Sequence, residues 1–137
     1  MKKLSGENTG NTHDALRILR DLDTGIINHL AWSKKIHRAL ICNEAPEDVD
    51  VSDEAHCYCK FGRWYYQGDS HPQLRENPIF KTIGDLHKSM HDAARGLLQR
   101  KSAGLSIGHD EYDAFMDQAI SFKWKVRCLQ FEIVKNI

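Results

Sequence analysis

Apolar residues recur at steps of three and four along most of the chain, which is the spacing of one face of an α-helix. The first helix is predicted from Thr12 onward. Its inward row comprises Leu16, Leu19, Leu22, Ile26, Ser33, Ile36 and Leu40. Residues 1–11 lack this spacing, so we predict a flexible N-terminal tail there and a single domain over 12–137.

Two more helices are predicted from the signals at their starts. A short helix over residues 53–67 has Ser52 as its N-cap. Asn77 and Pro78 provide an N-cap and a proline at the first position of a third helix, which runs to about Ser102. The inward row of this third helix comprises Ile79/Phe80, Ile83, Leu86/His87, Met90/His91, Ala94 and Leu97/Leu98.

The last helix is predicted to begin near His109 or Asp110. Its inward row comprises Tyr112, Phe115, Ala119, Phe122, Val126, Leu129 and Ile133. Since strand-like alternation is missing and the loops are short, we predict an all-α, antiparallel four-helix bundle with a short extra helix or turn. Trp124 and Phe131 fall outside the inward row and are candidates for a dimer surface.

Charge and composition narrow the classes of function. Lysine plus arginine and aspartate plus glutamate number 19 each, so the net charge gives no reason to expect nucleic-acid binding. We also expect no membrane insertion, because no apolar run is long enough to span a bilayer. The start of the chain lacks the apolar segment of a secretory signal, so we expect a cytoplasmic protein with reduced thiols.

In that setting the four cysteines and eight histidines are candidate metal ligands. His87 and His91 form the motif "HKSMH", and residues four apart lie above one another on a helix. The alternative is a pair of polar residues on the helix surface, but both fall in the inward row. His29 lies between Ile26 and Ser33 in the first inward row, where a core histidine bonded to a carbonyl is the alternative to a ligand.

The segment "CYCKFGRW" contains two further candidates, Cys57 and Cys59. On a continuous helix they would lie about 200° apart, so at most one could reach a metal. Cys59 is the better candidate, because Phe61 and Trp64 anchor its segment and Gly62 permits a close approach. Cys57 is predicted to be a small buried or half-exposed thiol.

One cysteine and three histidines complete a tetrahedral zinc site and leave no open position for water. This composition argues against a zinc hydrolase, so a small metalloenzyme is the less favoured alternative. A di-iron bundle is not indicated, since no Glu-x-x-His motif accompanies these histidines. Among the remaining residues, His56 is the best candidate for an auxiliary ligand. Like His13, His37, His71 and His109, His56 is nevertheless expected to be a solvated or capping histidine. Cys42 and Cys128 are expected to be helix-packing thiols.

The motifs resemble those of the chemoreceptor zinc-binding (CZB) domain. The pattern of that family is a histidine three before an aromatic, then Cys-x-apolar-Gly-x-apolar, then His-x-x-x-His. "HLAW", "CKFGRW" and "HKSMH" match it in order, and Cys57 is an addition to it. The resemblance implies one Zn²⁺ ion held in a helical bundle that senses a signal, often as a dimer. The implied ligands are His29, Cys59, His87 and His91.

The resemblance is closest to the N-terminal zinc sensor domain of zinc-regulated diguanylate cyclases, since the chain begins at Met1. We therefore expect a C-terminal output domain, a cyclase making cyclic di-GMP, that is regulated by zinc-dependent helix rearrangement in a homodimer. The alternative is a redox sensor whose zinc-bound Cys59 thiolate reacts with hypochlorite-type oxidants. We expect no enzyme activity in these 137 residues, because they lack a glycine-rich phosphate loop and the acidic motif of a cyclase.

Overall fold

A computed structural model describes the backbone of residues 6–67 and 71–137 and the side chains of 12–66 and 71–137. This part of the chain is helical and contains no strand. Its α-helices are α1 (Gly6–Ile41), α2 (Ala55–Tyr58), α3 (Lys60–Gln67), α4 (Pro78–Ser102) and α5 (His109–Lys135). Two short 3-10 helices, Asp48–Val51 and Pro72–Leu74, lie in the connections.

The three long helices α1, α4 and α5 pack against one another. The short pair α2 and α3 completes a four-helix bundle, with α2 against α4 and α3 against α1. Only residues 103–108 separate α4 from α5, which is typical of antiparallel neighbours. The predicted fold class is confirmed, including the extra short helical turns. The apolar centre includes the fully buried side chains of Leu22, Ile83, Phe115, Val126 and Leu129.

The start of α4 was predicted correctly and is fastened to the next helix. The Asn77 side-chain oxygen accepts hydrogen bonds from the backbone N–H groups of Ile79 (2.8 Å) and Phe80 (3.1 Å). The Asn77 side-chain amide donates to Glu132 of α5 (2.8 Å). One residue therefore both begins α4 and attaches it to α5.

The predicted register of α1 is wrong in its first two turns. Leu16 is 53% exposed, whereas Ala15 and Ile18 are buried. Leu16 precedes Leu22 by six residues, which places it about 120° away around the helix. Ile18 and Ala15 precede Leu22 by four and seven residues, so they share its face.

The structure tests only the second half of the flexible tail predicted for residues 1–11. Residues 1–5 lie outside the described residues, whereas residues 6–11 are backbone of α1. Extending an existing helix costs much less free energy than starting one, so helical backbone continues beyond the last apolar position.

The predicted helix over 53–67 is interrupted at Cys59, whose backbone is extended (φ −71°, ψ 162°). Arg63 donates its N–H to the Cys59 carbonyl (3.0 Å), and Gly62 donates its N–H to Cys59 Sγ (3.2 Å). Cys59 is therefore the N-cap of α3, with sulfur in the place of the usual side-chain oxygen. Ser52 is not the helix cap, although its hydroxyl accepts the N–H of Glu54 (3.1 Å) just before α2.

Replacing Gly62 should disrupt the backbone conformation at the break between α2 and α3. A Cβ atom at Gly62 would collide with the backbone carbonyl oxygen of His56 and lie 3.2 Å from Cys57 Cα. We expect Gly62→Ala to cost about 1–3 kcal/mol and to lower Tm by roughly 5 °C or more. Gly96→Ala is the control, because a Cβ there meets nothing within 4 Å and should stabilise α4 by up to about 1 kcal/mol. Equal melting temperatures for the two variants would contradict the prediction.

Candidate metal centre

His87 and His91 lie one turn apart on α4, and both are buried. Their ring centroids are 4.7 Å apart, so both imidazoles enter the same space between the helices. The surface alternative for this pair is wrong. The inward row of α4 carries them into the core because it is continuous with the apolar residues Ile83, Met90 and Ala94, which are also buried.

His29 approaches the same space from α1. Its Nδ1 lies 2.8 Å from the carbonyl oxygen of Gly25, one turn earlier, which favours the tautomer in which Nδ1 donates. The free electron pair of His29 is then on Nε2, which lies 3.0 Å from Nε2 of His87. A backbone hydrogen bond of this kind is typical of metal-binding histidines, because it fixes both the tautomer and the ring orientation.

Cys59 completes the group from the start of α3. Its Sγ lies 3.2 Å from His87 Nε2 and 3.9 Å from His29 Nε2. Tetrahedral zinc with nitrogen and sulfur ligands separates the ligand atoms by roughly 3.3–3.6 Å. With His91 included, one potential ligand atom from each of the four residues lies within 4.8 Å of the others. The structure thus brings together all four residues that the sequence predicted.

Two nitrogens in this group lack partners in the described part of the chain. They are Nδ1 of His87 and Nε2 of His91, and both are inaccessible to solvent. A buried polar atom without a hydrogen bond costs about 1–3 kcal/mol. Three imidazoles and a thiol are the donor types that zinc prefers, so the residues present fit a zinc ion.

Burial sets the protonation states of these side chains. It lowers the pKa of His29 to about 4 and that of His91 to about 3. The pKa of His87 is lowered still further, by burial and then by repulsion from the other two rings. Burial raises the pKa of the Cys59 thiol, although the Gly62 N–H opposes this shift. At neutral pH the metal-free centre therefore contains three neutral imidazoles and a protonated thiol.

Aromatic rings enclose the centre. Trp32 lies against His91 with 4.3 Å between ring centroids, and Phe61 lies 4.9 Å from His87. Phe122 of α5 lies 4.8 Å from the ring of His29. These rings exclude water on several sides. A cleft of about 320 Å³, which includes Cys59 and Phe61 in its lining, leads to the centre from the α1–α3 side.

Asp50 supports this enclosure and was not identified from the sequence. It is buried, and it accepts a hydrogen bond from Trp32 Nε1 (3.3 Å) at one oxygen. Its other oxygen forms an ion pair with Lys35 Nζ (3.0 Å). Asp50 therefore fixes the ring of Trp32 against His91. It belongs to the acidic connection after α1, where nothing in the local pattern distinguishes it from its neighbours.

Several minor predictions need correction. His56 and His71 are both buried, so neither is a solvated histidine, and His71 stacks on Trp64 with 4.1 Å between ring centroids. Cys42 and Cys128 are exposed and do not pack between helices. Cys57 is half-buried, within the range predicted for it, and is not part of the four-residue group.

Residues 29–98, just over half of the chain, match the family model of the chemoreceptor zinc-binding domain. The matched interval starts at His29 and contains the other three residues of the group. A search of curated proteins and a search of solved structures each found no match. In the part of the chain that the structure describes, no helix is both long and apolar enough to cross a membrane.

The protonation states predict the proton balance of metal binding. Since the lowered pKa values keep the three histidines neutral at pH 7, only the Cys59 thiol has a proton to lose. Zinc binding to the metal-free protein should release about one proton per ion near pH 7. Calorimetric titrations in buffers of different protonation enthalpy measure this number. Release of three or four protons would show that the histidines are charged before binding.

Proposed function

Since the chain belongs to the chemoreceptor zinc-binding domain family, we propose that it is a zinc-responsive regulatory domain. The proposed ligands are His29, Cys59, His87 and His91. The convergence of their four potential ligand atoms in the bundle core supports this assignment most strongly. Bound zinc would supply a divalent charge that keeps the Cys59 thiol deprotonated, and it would give a partner to one ring nitrogen of each histidine.

The position of the ligands explains how such a centre can regulate. They come from α1, the start of α3 and α4, so their relative positions set the packing of three elements. Helix α5 contributes no ligand, but Phe122 packs on the rings of both His29 and His87. A rearrangement of these imidazoles therefore reaches α5 directly through Phe122. Zinc regulates an output only if it binds one state of this packing more tightly than another.

We propose that α5 transmits the change through a homodimer. Its outer face carries Ile120, Trp124, Cys128 and Phe131 at steps of four, four and three. Trp124 is 63% exposed and Phe131 is 69% exposed. An apolar stripe with helical spacing favours a symmetric helix–helix interface.

The attached output is proposed to be a diguanylate cyclase that makes cyclic di-GMP. The support for this step is the likeness of "HLAW", "CKFGRW" and "HKSMH" to the zinc sensors of such cyclases. The oxidant-sensing alternative stays a prediction, because no observation favours it over zinc sensing. The metalloenzyme alternative is disfavoured by four protein ligands that leave no position for a reacting water.

Two cysteine variants test the ligand assignment. We expect Cys59→Ala to lose most of its zinc and to melt at a lower temperature, because metal binding is coupled to folding. Cys57→Ala is the matched control, and it should keep one zinc ion per chain and a nearly unchanged Tm. Elemental analysis after dialysis and thermal melts with and without a chelator provide the measurements. Retention of that ion by Cys59→Ala and its loss by Cys57→Ala would reverse the assignment.

The dimer is tested by changing its proposed interface. Trp124→Glu should convert the zinc-loaded protein into a monomer, since a charge buried in an apolar interface is costly. Leu105→Glu is the control, because Leu105 is also exposed but belongs to the loop that connects α4 to α5, outside the proposed interface. Light scattering over a range of protein concentrations distinguishes the states. A wild-type protein that stays monomeric at high concentration would overturn the proposed dimer.

A further inference from the structure

A second group of potential metal ligands lies beside the proposed centre and shares no residue with it. Glu54, His56 and Cys57 place a carboxylate oxygen, a ring nitrogen and Sγ within 4.8 Å of one another. A carboxylate, an imidazole and a thiolate are all donors that zinc accepts. The combination of nitrogen and sulfur donors also distinguishes this group from a site for calcium or magnesium, which prefer oxygen.

The environment of His56 is the second observation that points to a cation. Its side chain is buried, only 6% exposed, although its neighbours Glu54 and Cys57 are exposed and half-exposed. Its Nδ1 is inaccessible and has no hydrogen-bond partner in the described part of the chain. Burying a ring nitrogen without a hydrogen bond costs about 1–3 kcal/mol of folding free energy, a cost that a solvated histidine does not have.

The backbone holds these three side chains together. Cys57 donates its N–H to the Glu54 carbonyl (2.9 Å), and Glu54 donates its N–H to the Ser52 hydroxyl (3.1 Å). Glu54 is the N-cap of α2, and His56 and Cys57 lie in its single turn, so the backbone fixes the three residues relative to one another. Their donors need little reorganisation to meet around one ion.

We propose that Glu54, His56 and Cys57 form a second metal site for zinc or a similar divalent cation. It would have three protein ligands and a fourth position open to water. As Sγ binds the ion, the Cys57 thiol releases its proton to solvent. The carboxylate and the thiolate then balance the charge of the ion. This site goes beyond the single zinc of the proposed function, and its solvent-facing ligands make it weaker and faster to exchange than the buried centre.

Zinc titration tests the proposal. The whole chain, loaded with one equivalent of zinc, is titrated with more zinc in competition with a chromophoric chelator. We expect a second, weaker equivalent in the wild type. Cys57→Ser and Glu54→Gln should each weaken it at least about tenfold and leave the first equivalent unchanged. Both changes are at side chains accessible to solvent, so the fold should tolerate them.

The controls separate this site from the first one. Asp53→Asn removes an adjacent exposed carboxylate, and Cys42→Ser removes an exposed thiol elsewhere, so neither should affect the second equivalent. Cys59→Ala should lose the first equivalent and keep the second. The proposal is overturned if the wild type binds no second ion at micromolar free zinc. It also fails if Cys57→Ser and Glu54→Gln leave that ion unaffected, or if they remove the first equivalent instead.

Discussion

Three buried imidazoles and a half-buried thiol meet in the apolar centre of a small bundle, and the need to satisfy their polar atoms constrains the elements around them. Within the described chain, His29 Nδ1 finds a backbone carbonyl, but His87 Nδ1 and His91 Nε2 find no partner. Buried polar groups without partners are rare in native proteins. The proposed ligands meet only in the folded bundle, so metal affinity and the free energy of unfolding are expected to be coupled. The enclosing rings strengthen this coupling, because excluding water lowers the local dielectric constant.

The sequence predicts some parts of this arrangement better than others, for physical reasons. Asn77 and Pro78 define the start of α4 through local chemistry, and the i, i+4 spacing of His87 and His91 follows from the helix alone. The helix break at Cys59 has no proline that would predict it from the sequence. It depends on a sulfur atom in the place of the usual capping oxygen. Non-local contacts leave no periodic signal, and the bond from Trp32 to an aspartate 18 residues away is one of them.

Helix α5 has a different relation to the centre from that of the other helices. It meets the centre through packing contacts of Phe122, and these contacts have no preferred bond direction. The proposed ligands on α1, α3 and α4 must each direct one atom toward a common point. At the centre, α5 can therefore adjust its packing without displacing a proposed ligand. The outer face of α5, with Trp124, would carry any such shift to the surface.

The separation of the four residues along the chain also has a consequence for the order of assembly. His87 and His91 lie on one helix, whereas Cys59 is 28 residues and His29 is 58 residues from His87. The local pair exists as soon as α4 is helical, and the distant residues join it at a loop-closure cost that grows only slowly with length. During synthesis from the N-terminus, all four residues are present before α5 is made. Helix α5 is thus expected to dock last, onto three elements that are already joined.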